Sequence, residues 1–294
     1  MKRIGIATGL LFAALPLQAA EPAAHDGHGY AAMTQPASKS WTSLPLLKSR
    51  MSGEDRVSRS VTIVPQNIAP DSIEAWSNDL ADAQGHRVLP LEMGGAKLDK
   101  PASGGFHLLT ARETQGDTVR MASTVYYFGE RGGKNPTAMF MQTKEALEIV
   151  PQPFPREHSR YRANEDWQFL VRFKGQPLAG CRVLVQTSNG SRQELLTDAH
   201  GVFTLHVPDD FKLREEGAAS AHGMRRGADM VLAATHTEGA TQYLTAFNSS
   251  YGEDAYANRD LAWGMGFTLI GMLGAAPLLR QRKNGTKNGE TGDA

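Results

Sequence analysis

Residues 167–207, WQFLVRFKGQPLAGCRVLVQTSNGSRQELLTDAHGVFTLHV, follow the period-two pattern of an antiparallel sheet. Trp167, Phe169, Val171 and Phe173 alternate with polar or smaller neighbours, which puts them on one face of a strand. Lys174-Gly-Gln-Pro177 interrupts the run as a turn, and Arg182 to Thr187 reads as the next strand. Ser188-Asn-Gly-Ser191 holds an Asn-Gly pair, whose tolerance of positive φ suits a tight hairpin. Gln193 to Thr197 returns, Asp198-Ala-His-Gly201 turns again, and Val202 to Val207 places Phe203, Leu205 and Val207 on one face. Short strands with turns every few residues are the mark of a β-sandwich.

Outward from this stretch the same pattern continues. Met230 to His236 and Thr241 to Phe247 form a further pair around Gly239. Upstream, Val61, Ile63 and Ile68 lie among Pro65 and Pro70, which favour short extended pieces over helix. Gly105 to Thr110 and Thr118 to Phe128 read as strands, the second rich in Val, Tyr, Phe and Thr. Met139 to Ile149 reads as one more, with Met139 and Met141 sharing a face. Residues 209–227 interrupt the meander with charge, Ala and Gly and are expected to be a long solvated loop. The expectation is an all-β chain, an Ig-like or transthyretin-like β-sandwich in two β units, 59–150 and 151–247.

The flanks carry an address. Lys2 and Arg3 precede the apolar run Ile4 to Leu17 and the small residues Ala19-Ala20, the layout of a signal peptide over residues 1–20. Residues 21–58 are rich in Ala, Ser, Pro, Gly and charge and read as a flexible spacer, with a short helical patch at Leu44 to Leu47. After a linker at 248–260, Leu261 to Leu279 holds no charged residue and spans 19 positions. At ~1.5 Å per residue that makes about 28 Å of helix, the thickness of a bilayer core. Arg280, Arg282, Lys283 and Lys287 follow, so residues 280–294 read as a cytoplasmic basic tail. The expected protein is a single-pass bacterial inner-membrane protein with a periplasmic ectodomain.

Composition narrows the function classes. Thirty-one basic side chains balance 31 acidic ones, which leaves no electrostatic footprint for nucleic acid. The single Cys181 has no intramolecular disulfide partner and fits a small buried apolar residue at a strand start. Gly-x-Ser-x-Gly, His-Glu-x-x-His, Gly-x-Gly-x-x-Gly and phosphate-loop patterns are missing, and no enzymatic activity is expected.

The phrase Ala146-Leu-Glu-Ile-Val-Pro-Gln-Pro-Phe-Pro155, then Trp167 to Gly180, then Leu196-Thr-Asp-Ala-His-Gly201, resembles an exported bacterial family known as domain of unknown function 4198. Its second half is also similar to the carboxypeptidase-regulatory-like sandwich module. The resemblance covers about residues 60–250 and is strongest over 146–207. It implies a β-sandwich and a periplasmic part in nickel or cobalt uptake. The matching residues are turn glycines, prolines and strand hydrophobics, which build scaffold. Members commonly begin with a His-containing segment; here a long spacer separates Ala24-His-Asp-Gly-His28 from the first strand.

Candidate ligands follow from residue chemistry. His25 and His28 with Asp26 between them offer two imidazoles and a carboxylate, suited to nickel, cobalt, copper or zinc. His222 with Met224 on the long loop pairs a nitrogen with a soft thioether, a combination that favours copper, although Arg225 and Arg226 stand beside it. His107 and His236 fall within strands, and His200 and His206 at turn or surface positions. Two functions are therefore expected. One is a membrane-anchored accessory or binding component for transition-metal handling, working with an inner-membrane or envelope protein. The other is an envelope interaction protein presenting sandwich loops to a protein or glycan, with Tyr126, Tyr127, Tyr243, Tyr251 and Tyr256 as exposed aromatics.

Overall fold

The computed structural model describes residues 40–51, 53, 55, 59–79, 85–101, 104–129, 135–155, 160–211, 227–254, 270 and 272. The expected signal peptide, the expected basic tail and most of the apolar stretch 261–279 lie outside them; Ile270 and Met272 of that stretch are helical and exposed. Among the described residues no helix is long and apolar enough to cross a membrane. The described residues from Trp41 onward belong to one compact unit.

The named elements among its described residues are β-strands and one short helix. In chain order its elements are β1 (Leu46–Arg50), β2 (Ser60–Gln66), β3 (Ser72–Ser77), β4 (His86–Pro90), β5 (Ala96–Asp99), β6 (Gly105–Gln115) and β7 (Thr118–Phe128). Next come α1 (Thr137–Met141), β8 (Leu147–Gln152), β9 (Tyr161–Arg162), β10 (Asp166–Phe173), β11 (Gln176–Pro177) and β12 (Arg182–Thr187). The last four are β13 (Arg192–Leu196), β14 (Val202–His206), β15 (Gly227–Glu238) and β16 (Thr241–Gly252).

One nine-stranded sheet runs through the whole unit in the order β13-β12-β15-β16-β7-β6-β3-β4, with β9 also on β16. The two expected β units are therefore not separate. They meet where β16 pairs in parallel with β7, Ala246 opposite Ala122 and Asn248 opposite Thr124. Two smaller sheets cover it. The first, β8-β10 with β14 and β11 on the far side of β10, packs on the face that carries Val183, Leu232, Phe247 and Met121. The second, β1-β2-β5, packs on the opposite face, which carries Ile73, Leu109, Ala111 and Ala122. Because side chains alternate along β7, adjacent Met121 and Ala122 enter different cores.

Turn chemistry sets the strand order. Lys174-Gly175 joins β10 to β11 with both residues at positive φ, the two-residue loop that matches strand twist. Gly201 also has positive φ, and a Cβ there would sit 2.8 Å from Leu178 N and Val171 O. Asp198 Oδ1 accepts from the backbone N–H groups of His200 and Val202, which hold its carboxyl below the usual range. Thr197 Oγ1 accepts from Cys181 N at 2.8 Å and donates to Leu178 O at 2.6 Å. The Thr-Asp-Ala-His-Gly motif is thus a clasp between the two sheets of the second sandwich. Cys181 is buried, and burial pushes its thiol up.

Three expectations are corrected. Residues 46–50, placed in the spacer with a helical patch at 44–47, form β1, because fully buried Leu46 and Leu47 cover the central sheet. Met139 to Ile149 is not one strand: α1 buries adjacent Met139 and Phe140, which strand alternation would separate, and leaves Met141 exposed. Residues 248–252, expected in the linker, belong to β16, which extends to Gly252 and buries Asn248 and Tyr251.

Candidate functional site

The expected ligands His25, Asp26, His28, His222 and Met224 all lie outside the described residues. The four strand and turn histidines are placed. His107 is buried edge-on to Phe128, and His236 is half-buried against Phe173. His200 is exposed in its turn, and exposed His206 pairs with Asp166 at 2.8 Å. Among the described residues no three His, Cys, Asp or Glu side chains are grouped to hold a metal ion. Of the aromatics expected at the surface, Tyr251 is fully buried, Tyr126, Tyr127 and Tyr243 are half-buried, and Tyr256 lies outside the described residues.

A groove of about 410 Å³ lies between the start of β3 and the end of β6. Asp71, Ser72 and Glu74 form one wall, Thr110 to Gln115 the other, and Glu145 closes it from the segment before β8. Register explains the convergence. Glu74 stands opposite Thr110, so Glu74, Thr110 and Arg112 share the sheet face turned away from β1-β2-β5.

Ion pairs fix the groove's side chains. Arg112 Nε donates to Glu145 Oε2 at 2.9 Å, with Glu145 itself only 7% exposed. Burial pushes the Glu145 carboxyl up; Arg112 opposes that shift, while the nearby Glu74 and Glu148 charges add to it. Glu113 accepts from Arg120 at 3.1 Å and from Gln115 at 2.8 Å. Glu74 lies 3.1 Å from His86 Nε2, and the His86 ring stacks on Trp76 with centroids 3.7 Å apart.

Behind Glu145, two cations finish the C-terminus of α1. Arg172, 4% exposed, donates to the carbonyls of Phe140, Met141 and Gln142 and through Nε to Glu148 at 2.7 Å. Lys144 donates to the carbonyls of Met139 and Gln142 and lies over the Trp76 ring. The carbonyls of the helix's last three residues, Met139 to Met141, and of the C-cap Gln142 are thereby satisfied, a requirement that a buried helix end imposes. Burial lowers the Lys144 amine to about 8; Glu148 works against that shift and Arg172 reinforces it. Met139 and Phe140 are pinned on Phe106, Leu108, Val150 and Leu170, so the groove is backed by packed core.

A second polar cluster closes the far end of the C-terminal sandwich. Asp210 accepts from Thr187 Oγ1 at 2.5 Å, from Asn189 Nδ2 at 3.0 Å and from the Tyr251 hydroxyl. Burial would raise the Asp210 carboxyl; donors from Thr187, Tyr251, Ser191 and Asn189 outweigh it and hold the group low. Burial and Asp210 together push the Tyr251 phenol up. Asn164 bridges Asp209 and Asp254 at 3.3 and 3.0 Å. These bonds join strand ends to one another, and the cluster reads as structural.

The groove residues were not singled out from the sequence. Glu74, Thr110 and Arg112 are ordinary polar residues within strands. Pairing register and the α1 corner bring them to Glu145, and neither is encoded in local spacing.

No protein-family model matches this sequence, and no curated protein does. Two solved structures are similar to it at low level. One is a tetra-tandem repeat in the extending region of a large adhesion protein, at 10% identity and a TM-score of 0.23. The other is a Ca2+-stabilized adhesin with which an Antarctic bacterium reaches out and binds ice, at 12% identity and a TM-score of 0.22. Each match covers 72% of this chain, which spans about half, 49%, of either neighbour.

Proposed function

We propose that this chain is an exported, membrane-tethered binding protein whose Ig-like or transthyretin-like β body presents the β3/β6 groove to a partner and performs no chemistry of its own. The observation that carries this reading is the groove, with its polar walls fixed by Arg112–Glu145 and Arg120–Glu113 and backed by the α1 core. Preorganised side chains on paired strands lose little freedom when a partner docks. Tethering is inferred from the uncharged run Leu261 to Leu279 and the cations after it, and export from residues 1–20. A photo-crosslinking side chain placed at Asp71 in cells, with Lys97 on β5 as the control position, tests the reading. A defined adduct from position 71 that is absent from position 97 is expected. Equal adducts at both positions, or none at 71, would overturn it.

A second reading is favoured by His25-x-x-His28 with Asp26, by His222 and Met224, and by the resemblance to domain of unknown function 4198. In it the same body assists nickel, cobalt or copper handling beside an inner-membrane partner. Metal analysis of the purified full chain, repeated on a His25→Ala/His28→Ala variant, checks it. Stoichiometric metal that the variant loses supports the reading; no metal in the parent chain removes it.

A further inference from the structure

We propose that the β3/β6 groove is a receptor for an organic cation, a primary ammonium or guanidinium group. The inference rests on the reading of this groove as the binding face and names what that face takes.

Charge is the first argument. Asp71, Glu74, Glu113 and Glu145 line the groove against a single guanidinium, Arg112. Arg112 is committed to Glu145, and Glu113 is matched by Arg120 from outside the lining. Among the described residues no lysine or arginine pairs with Asp71 or Glu74. The basic neighbour of Glu74 is His86, which carries charge only when protonated. With that imidazole neutral, the groove holds two carboxylates with no fixed counter-ion.

A buried hydroxyl gives the second argument, independent of charge. Thr110 is 3% exposed and its Oγ1 has no hydrogen-bond partner. It lines the groove, opposite Glu74 in the register and two residues from Arg112 on the same strand face. A buried polar atom without a partner is costly to keep, and a donor arriving in the groove satisfies it. An ammonium or guanidinium carries several N–H donors. It can give one to Thr110 while its charge lies between Glu74 and Asp71.

Other ligands fit less well. A compact divalent ion needs converging oxygens, and among the described residues no metal-holding group of three is present. The Arg112 guanidinium opposes a dense charge more strongly than a diffuse one. A neutral sugar lacks its usual aromatic platform: no ring lines the groove, and the neighbouring Trp76 is stacked by His86 and overlaid by Lys144. The volume, about 410 Å³, holds a whole Lys or Arg side chain with adjoining backbone.

The test is calorimetric titration of the full chain in detergent at pH 7.5. The probes are spermidine, a Gly-Lys-Gly-Arg-Gly peptide, its Gln-substituted neutral counterpart, and Ca2+. Saturable binding of a cationic probe is expected. It should weaken at least tenfold in Asp71→Asn/Glu74→Gln, weaken several-fold in Thr110→Val, and fall with added salt. Circular dichroism checks that the variants remain folded. Spermidine binding without peptide binding assigns a free polyamine; peptide binding assigns a segment of a partner protein. Equal binding of the neutral peptide, tighter binding of Ca2+, or cation binding unchanged in the double variant would overturn the inference. A position-71 adduct in cells combined with no cation binding in vitro would remove the ligand class and leave the binding face standing. Cation binding without any adduct would do the reverse.

Discussion

The two covers of the central sheet solve the same packing problem with different side chains. Under β8-β10-β14 the core is aromatic: Tyr161, Phe169, Phe203, Phe247 and Tyr251, with Phe169 against Phe203 at 5.4 Å and Phe247 at 6.2 Å. Under β1-β2-β5 it is aliphatic and small, with Val61, Ile63, Ile73, Leu98 and Leu109 among Ala75, Ala96, Ala111 and Ala122. Large rings fill the space between sheets that turns and the Thr197 clasp have already positioned. Small residues let a short cover lie close, and that cover is then held by a polar latch. Asn248 accepts from Leu47 N and donates to Leu47 O, both at 2.9 Å, so one side chain pairs with β1 as a strand would. The aromatic cover is secured by volume and the aliphatic cover by hydrogen bonds.

That contrast breaks most visibly at Phe169. Phe169→Ala should cost about 3–5 kcal/mol, read from denaturant midpoints, because its surrounding rings cannot collapse into the cavity. Both covers should be lost in one transition, since they share a sheet; two separate transitions would show that the halves are independent. Next is the corner between the covers. Arg172→Met takes the charge partner from buried Glu148 and the donors from the Phe140 and Met141 carbonyls, while Gln142 keeps Lys144, for a loss of about 3 kcal/mol in the same assay. Smaller again is Asn248→Ala, about 2 kcal/mol for the two backbone groups of Leu47 left without partners. Its signature is local: hydrogen exchange should quicken in β1 and stay slow in β12 and β15.

The smallest effect is a pH slope. Lys144 titrates near 8 when folded, against an ordinary 10.5. Between those values the unfolded chain binds more protons than the folded one, so this group makes stability rise with pH across that window. Below about 8 both states are protonated and the slope vanishes. Lys144→Met should flatten the rise between pH 8 and 10.5, measured by chemical denaturation at several pH values. A parent protein without the rise would show that the amine stays charged above Trp76.

The aromatic half was also the legible half. Trp167 to Val207 alternates cleanly, its turns carry Gly, Asn and Asp, and the expected strand Arg182 to Thr187 has the observed bounds. Thr118 to Phe128 was equally clear. Legibility failed where both faces of a segment are buried or where position depends on distant partners. Leu46 and Leu47 are adjacent and both buried, against different cores, so they show no alternation. Met139 and Phe140 sit in a helix of five residues, too short for a 3.6-residue period to appear. The groove failed for the second reason: Glu145 reaches Arg112 across 33 positions of chain, a distance that no local pattern records.

The parallel seam between β7 and β16 fixes when this protein can be finished. Met121 waits for Thr245, and Ser123 for Phe247, a separation of more than a hundred residues. Until the last strand arrives, β7 is an open edge with unpaired amides, able to recruit strands from other chains. Contacts of such long sequence separation slow folding, because the loop between them must close first. A chain cut at residue 150 should therefore aggregate rather than yield a smaller domain. During synthesis the first half must be kept from neighbouring chains until its closing strand has emerged.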